Sequence, residues 1–196
     1  MVELQHRHPE PPELVQFRLL HPAASPTDWD HLDFVEAKRS VKSGLHQDQA
    51  GLCVYCEMKL PAVGGHVEHI KPKSGPNAHA QLCFVYVNLA HSCDNPKTCG
   101  HKKKAGLLPI EPGPGCNADW SLTTDGTIEP TQGLSRQRRH AVTQTRDMLG
   151  LNKDSDLVDE RKRWLKGAID IAQQRPADLP QFLAQGPFRH IMATVF

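Results

Sequence analysis

The side chains best suited to chemistry in this 196-residue chain lie between residues 53 and 102. Cys53-Val54-Tyr55-Cys56 is a C-x2-C knuckle, two thiolates on a tight turn that can reach one tetrahedral ion. A second pair, Cys93 and Cys99, has five residues between, and the insert holds Asn95-Pro96, which can fold the chain back. Four thiolates leave no open position on the ion, so the set predicts a structural Zn2+ site rather than a catalytic one. The alternatives are buried free thiols or a C-x-x-C redox pair, which usually needs a βαβ setting that the sequence does not show. Cys83 sits in an apolar run and reads as a core residue. Cys116 lies in a Gly/Pro-rich connector and has no assigned role.

Between the two pairs lies His66-Val67-Glu68-His69-Ile70-Lys71-Pro72, followed by Asn88-Leu89 and then Cys99-Gly100-His101-Lys102. In this order the residues resemble the zinc-bearing HNH endonucleases, where two cysteine pairs bracket the catalytic residues. Phosphodiester hydrolysis needs a nucleophilic water, a base to deprotonate it, and positive charge on the phosphate and leaving oxygen. The resemblance implies that one divalent ion, Mg2+ or another, does the charge work. It implies Glu68 and His101 as ligands of that ion, His69 as general base, and Asn88 as the residue that orients the base. Glu68 and His69 point oppositely on a strand, an arrangement that the family's ββα-metal motif accommodates. The family often sets its last His or Asn directly after the cysteine, whereas here Gly100 intervenes before His101. His66 and His91 are spare ligands nearby. Lys102, Lys103 and Lys104 are expected to meet substrate phosphate, as cations that position rather than specify, with Lys71 and Lys73 as lesser candidates.

The likeness extends beyond this box. Gln49 to Glu57, Val67 to Ser74, Ser92-Cys93, Gly126 to Pro130, and Leu149 to Asn152 with Leu157 and Arg161 are similar to the PtuB nucleases of Septu and retron anti-phage systems. The similarity covers residues 29–165. It implies a PtuA-like ATPase partner of the ABC or SMC-like kind, a DNA or tRNA substrate, and restraint of the free nuclease.

Three segments must position these groups. Residues 1–50 read as a Pro-rich arm (1–27) and a helix from Trp29 to Gln49, with Leu32, Val35, Val41 and Leu45 as its apolar stripe. Residues 51–110 read as the nuclease core with its zinc site. HVEHI and LCFVYV are its expected strands, joined by a loop from Lys71 to Ala80. Residues 111–196 read as a connector with a turn at Asp125-Gly126 and a helical region. Its first helix spans Ser135 to Leu149, and a second, capped within Asn152 to Asp154, stops at Pro176. A short helix is expected in the tail. The expected fold class is α+β and mostly helical, with a ββα-metal (HNH) core stapled by the four cysteines and flanked by N- and C-terminal helices. The helices over 29–49 and 135–175 are longer than such a core needs and are expected to dock the ATPase.

Composition bounds the rest. No apolar run approaches the ~18 residues that span a bilayer, and MVELQHRHPEPPELVQF lacks the order of a signal peptide. A cytoplasmic, reducing compartment is expected, and there paired cysteines read as metal ligands. The net charge of +1 argues against a polybasic binder, but it is an average: residues 1–50 carry net −3 and residues 51–105 net +4. The free chain is therefore expected to bind nucleic acid weakly and with strong salt dependence. Two other functions compete, a zinc-stabilised nucleic-acid-binding module without catalysis and a redox sensor built on Cys53 and Cys56.

Overall fold

The structure, a computed structural model, describes residues 1–196. His66–His69 form a short strand, β1, paired antiparallel with β2 (Leu89–Ser92), so that His66 stands opposite Ser92 and His69 opposite Leu89. Strand alternation sends Val67 and His69 to one face and His66 and Glu68 to the other. Beyond β2 a turn at Pro96-Lys97, closed by the Asn95 side chain on the Lys97 amide at 2.9 Å, leads into a short helix, α3 (Cys99–Lys103). A second antiparallel pair, β3 (Trp120–Leu122) and β4 (Ile128–Pro130), turns at Asp125-Gly126. Gly126 has φ +88°, and an added Cβ would lie 2.2 Å from the Val158 carbonyl oxygen, so only glycine fits there.

The Val67 face of β1 meets an aromatic core. Phe17 of α1 (Pro12–Leu20), Phe34 before α2 (Val35–Asp48), Trp29 and Phe84 stack there with ring centroids 4.7 to 5.7 Å apart. The larger core gathers the cysteine knuckle, β3 and β4, α4 (Arg136–Met148), α5 (Ser155–Gln174) and the tail helices α6 (Leu179–Gln185) and α7 (Arg189–Met192). Arg161 of α5 is 1 % exposed. Its guanidinium donates to the carbonyls of Gly126 at 2.7 Å and Leu151 at 2.6 Å, which ties the β3–β4 turn to the end of α4. No helix is long and apolar enough to cross a membrane.

Three expectations need correction. The segment 1–27 is not an irregular arm. Pro11-Pro12 starts α1, because proline is accommodated in a first turn where its missing N–H costs nothing, and Leu14 and Phe17 are buried. The helix expected from Trp29 begins only at Val35. Trp29 and Phe34 would point about 140° apart on one α-helix. An extended His31 (ψ 149°) separates two 3-10 turns and lets both rings reach the core, which leaves Leu32 83 % exposed. LCFVYV is not a strand. It forms 3-10 turns, and the strand is the next segment, Leu89–Ser92; the adjoining Asn88 amide takes the Leu82 carbonyl, and the His69 ring takes that of Cys83. By contrast, α4 is capped by Ser135 through the Arg138 amide, and α5 runs from Ser155 to its stop before Pro176, near the expected bounds.

Candidate metal centres and active site

The four cysteines of the two pairs converge. Cys53 and Cys99 sulfurs are 3.7 Å apart, and those of Cys56 and Cys93 are 3.9 Å apart. Four sulfurs held ~2.3 Å from one ion at tetrahedral angles stand ~3.8 Å from each other. The Cys93 amide donates to the Cys53 sulfur at 3.3 Å. Burial opposes ionisation of Cys53, yet hydrogen bonds from Cys56, Cys93 and Cys99 hold its pKa well below the ordinary thiol range. Cys99 is pushed well above that range, first by burial and then by its three neighbours. Such a set cannot ionise together without a cation among the sulfurs. The donors therefore suit a closed thiolate metal site. Cys83 and Cys116 stand apart from it, both buried.

The Glu68 face of β1 looks onto α3. One carboxylate oxygen of Glu68 accepts from the Lys103 ammonium at 2.8 Å, and Tyr55 Oη stands 3.5 Å from the same oxygen. The other lies 3.5 Å from His66 Nε2. Burial raises the Glu68 pKa, but His66 and Lys103 outweigh it and hold the group ionised below the usual carboxylate range. Lys103 departs from its expected place among phosphate-facing cations. It is 4 % exposed, and its ammonium also donates to the His69 carbonyl at 2.9 Å, so it braces the strand from within. Lys102 and Lys104 are exposed. His101 is exposed, with its ring 4.8 Å from that of His66 and its Nε2 3.8 Å from Asp94.

His69 faces the other way. Its Nε2 lies 3.0 Å from the Cys83 carbonyl oxygen. A carbonyl only accepts, so Nε2 carries the proton and the Nδ1 lone pair is free. Burial, with Lys73 nearby, pulls its pKa down to about 4, so the ring is neutral at pH 7. Trp29 packs against it edge-on with centroids 4.3 Å apart, and Lys73 lies 5.0 Å from the indole centre. Trp29, Glu68, His69, Lys73 and Lys104 share the walls of a surface cleft of about 250 Å3. Larger hollows exist, such as one of about 520 Å3 against α2, but none of these groups lines it.

Asn88 does not touch the His69 ring. Its amide accepts from the Lys71 N–H at 2.9 Å and donates to the carbonyls of Lys71 and Leu82 at 3.0 and 3.2 Å. It thereby clamps the loop that leaves β1 to the turn that supplies the Cys83 carbonyl, and it acts on His69 through backbone. Asn88→Ala strands three buried or half-buried backbone groups, and we expect about 1–3 kcal/mol of lost stability in urea unfolding, with slower cleavage. Unchanged urea midpoint and rate would remove Asn88 from the site.

Trp29 and Asp94 are candidate site residues that the linear reading did not single out, and Lys103 was named as a phosphate cation rather than as the partner of Glu68. The one available hint was that Lys103 ends the Cys99-Gly100-His101-Lys102-Lys103 run and Asp94 directly follows a metal-binding cysteine.

The chain is 42 % identical over 202 aligned positions to a Vibrio cholerae protein whose name assigns it as the HNH endonuclease of retron Vc95, with 98 % of both chains covered. The chain belongs to the retron HNH endonuclease family. No family model matches it. Membership in the retron HNH family agrees with the ordered Cys, Glu-His, Asn and Cys-x-His residues read above, all of which lie within the shared span.

Proposed function

We propose that this chain is a metal-dependent endonuclease that hydrolyses phosphodiester bonds of DNA or tRNA, the effector of an anti-phage defence complex with a PtuA-like ATPase. In this reading β1, β2 and α3 are the ββα-metal core, residues 1–50 and 111–196 support it, and the four cysteines hold Zn2+. The observation that supports it best is the tautomer of His69, a neutral imidazole with a free Nδ1 in an open cleft, directly after an ionised carboxylate on the opposite strand face.

His69 takes the proton from the attacking water at Nδ1 while Cys83 keeps the ring in place through Nε2. Trp29 restricts the ring from its side. Lys104 and Lys73 hold the scissile phosphate in the cleft, with Lys102 on the adjoining backbone. Glu68 and His101 hold the divalent ion, Mg2+ or a similar one, which supplies positive charge to the phosphate and the leaving oxygen. The donor types suit such an ion: Glu68 is a buried carboxylate and His101 a solvent-exposed imidazole, so the outer side is open to water and substrate.

The ATPase docks on the N-terminal helices or α4–α5 and supplies the nucleic-acid surface that a chain of net charge +1 lacks. Leu19 and Leu20 at the end of α1 are 76 and 68 % exposed, and with Leu32 they are the apolar groups a partner would cover. The complex acts in the cytoplasm. Cleavage of plasmid DNA and tRNA with and without the neighbouring ATPase tests this. We expect cleavage with the ATPase present and little by the chain alone; equal cleavage with and without it, together with no co-purification, would contradict the partnership.

A further inference from the structure

We propose that His66 and Asp94 belong to the catalytic metal centre, with His66 ligating the divalent ion beside Glu68 and Asp94 orienting the imidazole. The proposal rests on the metal-dependent reading above and adds two residues to it.

His66 and Glu68 are two apart on β1 and so share the face that looks onto α3. His66 Nδ1 lies 3.0 Å from Asp94 Oδ1. A carboxylate only accepts, so Nδ1 carries a proton and Nε2 is turned toward Glu68 Oε2, 3.5 Å away. Nε2 and Oε2 face each other and share one cation, a proton on Nε2 or a divalent ion in its place. A span of 3.5 Å suits two donors each ~2.1 Å from one ion at a near-tetrahedral angle. The other Glu68 oxygen is already held by Lys103, so Oε2 is the one left to bind. A carboxylate behind a ligating imidazole fixes its tautomer and raises its basicity.

Gly100 explains why the helix contributes no donor at this point. A Cβ there would stand 2.6 Å from Glu68 Oε2 and 2.8 Å from His66 Nε2. Any side chain at residue 100 would push both donors apart, and its absence lets the strand supply the pair. His101, one residue on, closes the outer side, and donor atoms of His66, Asp94 and His101 all lie within 4.8 Å of one another. His66 is half-buried while Asp94 and His101 are exposed, so the site is open to solvent, unlike the sealed four-cysteine site.

Mn2+ is the probe, titrated into the zinc-loaded full-length chain and followed by loss of the free-ion electron paramagnetic resonance signal. The wild type is expected to bind one Mn2+. His66→Ala and His66→Asn should weaken binding about 10–100-fold and Asp94→Asn about 10-fold, as outer-shell and ligand losses do elsewhere. Gly100→Ala keeps every donor yet should also weaken Mn2+, which tests the geometry without deleting a ligand. Zinc content should stay at the wild-type value in all four variants and melting temperature in the His66 and Asp94 variants, and excess Mn2+ should restore cleavage by Asp94→Asn. Wild-type Mn2+ affinity in His66→Ala overturns the proposal and leaves the metal-dependent reading intact. A wild-type chain that binds no Mn2+ overturns both.

Discussion

Removal of the Zn2+ proposed for the four cysteines is expected to unfold this chain rather than slow it. The four sulfurs join three separate pieces: the knuckle at Cys53 and Cys56, the end of β2 at Cys93, and the first residue of α3 at Cys99. Those pieces carry Tyr55 and Lys103, and β2 pairs with β1, which carries Glu68, so an ion on the four sulfurs would also hold the active-site strand against its helix. Structural Zn2+ contributes on the order of 10–16 kcal/mol to small zinc-binding units, against about 5–15 kcal/mol for the net stability of a whole domain. Without a cation, the set holds two thiols biased toward ionisation, Cys53 and Cys93, and two biased against it, Cys56 and Cys99. A thiol-selective mercurial should release one Zn2+ per chain and lower the melting temperature by at least about 10 °C, or abolish the cooperative transition. Cys53→Ser should do the same without reagent. An ion-free chain that melts at the wild-type temperature would show that the cysteines are inert core thiols.

What was legible in the sequence was what is locally determined. The cysteine quartet was readable because coordination limits the spacing of each pair. The start of α4 was readable from Ser135 and the stop of α5 from Pro176, because caps and proline act within one turn; α5 begins at the end of the Asn152 to Asp154 stretch, but the Asp154 carboxylate accepts from Asn95 instead of capping it. Glu68, His69, Asn88 and His101 could be singled out as an ordered motif, yet their partners could not. Lys103 reads as one more surface cation until the fold sets Glu68 opposite it. LCFVYV has strong β propensity, but the His69 ring from β1 and the adjoining Asn88 amide claim its carbonyls, and the strand falls one segment later. Trp29 looked like the start of a helix because nothing near it in sequence reveals that β1 brings His69 against its ring.

His69→Ala is expected to lower the rate of nucleic-acid cleavage about 10²–10⁴-fold, the usual contribution of a positioned general base. Nothing else in the cleft replaces it. The carboxylate of Glu68 is on the other strand face and is taken by Lys103 and His66, while Lys73 and Lys104 are cations. The deletion removes a ring whose polar contacts are to one carbonyl and one thiol, so the fold should survive, with unchanged zinc content. Trp29→Ala should give a smaller loss, since it frees the ring without removing the base. Single-turnover rates of His69→Ala within threefold of the wild type would assign the base elsewhere.

The central claim is that this retron HNH chain cuts nucleic acid rather than only binding it. The direct measurement is the number of strand breaks per chain, counted as new ends on plasmid DNA and tRNA, for zinc-loaded protein with the proposed ATPase partner, with and without Mg2+. The account predicts more than one break per chain with Mg2+ and almost none without it. A folded, zinc-loaded complex that retains nucleic acid yet makes no breaks at any Mg2+ or Mn2+ concentration would contradict it and leave a zinc-stabilised binding module in its place.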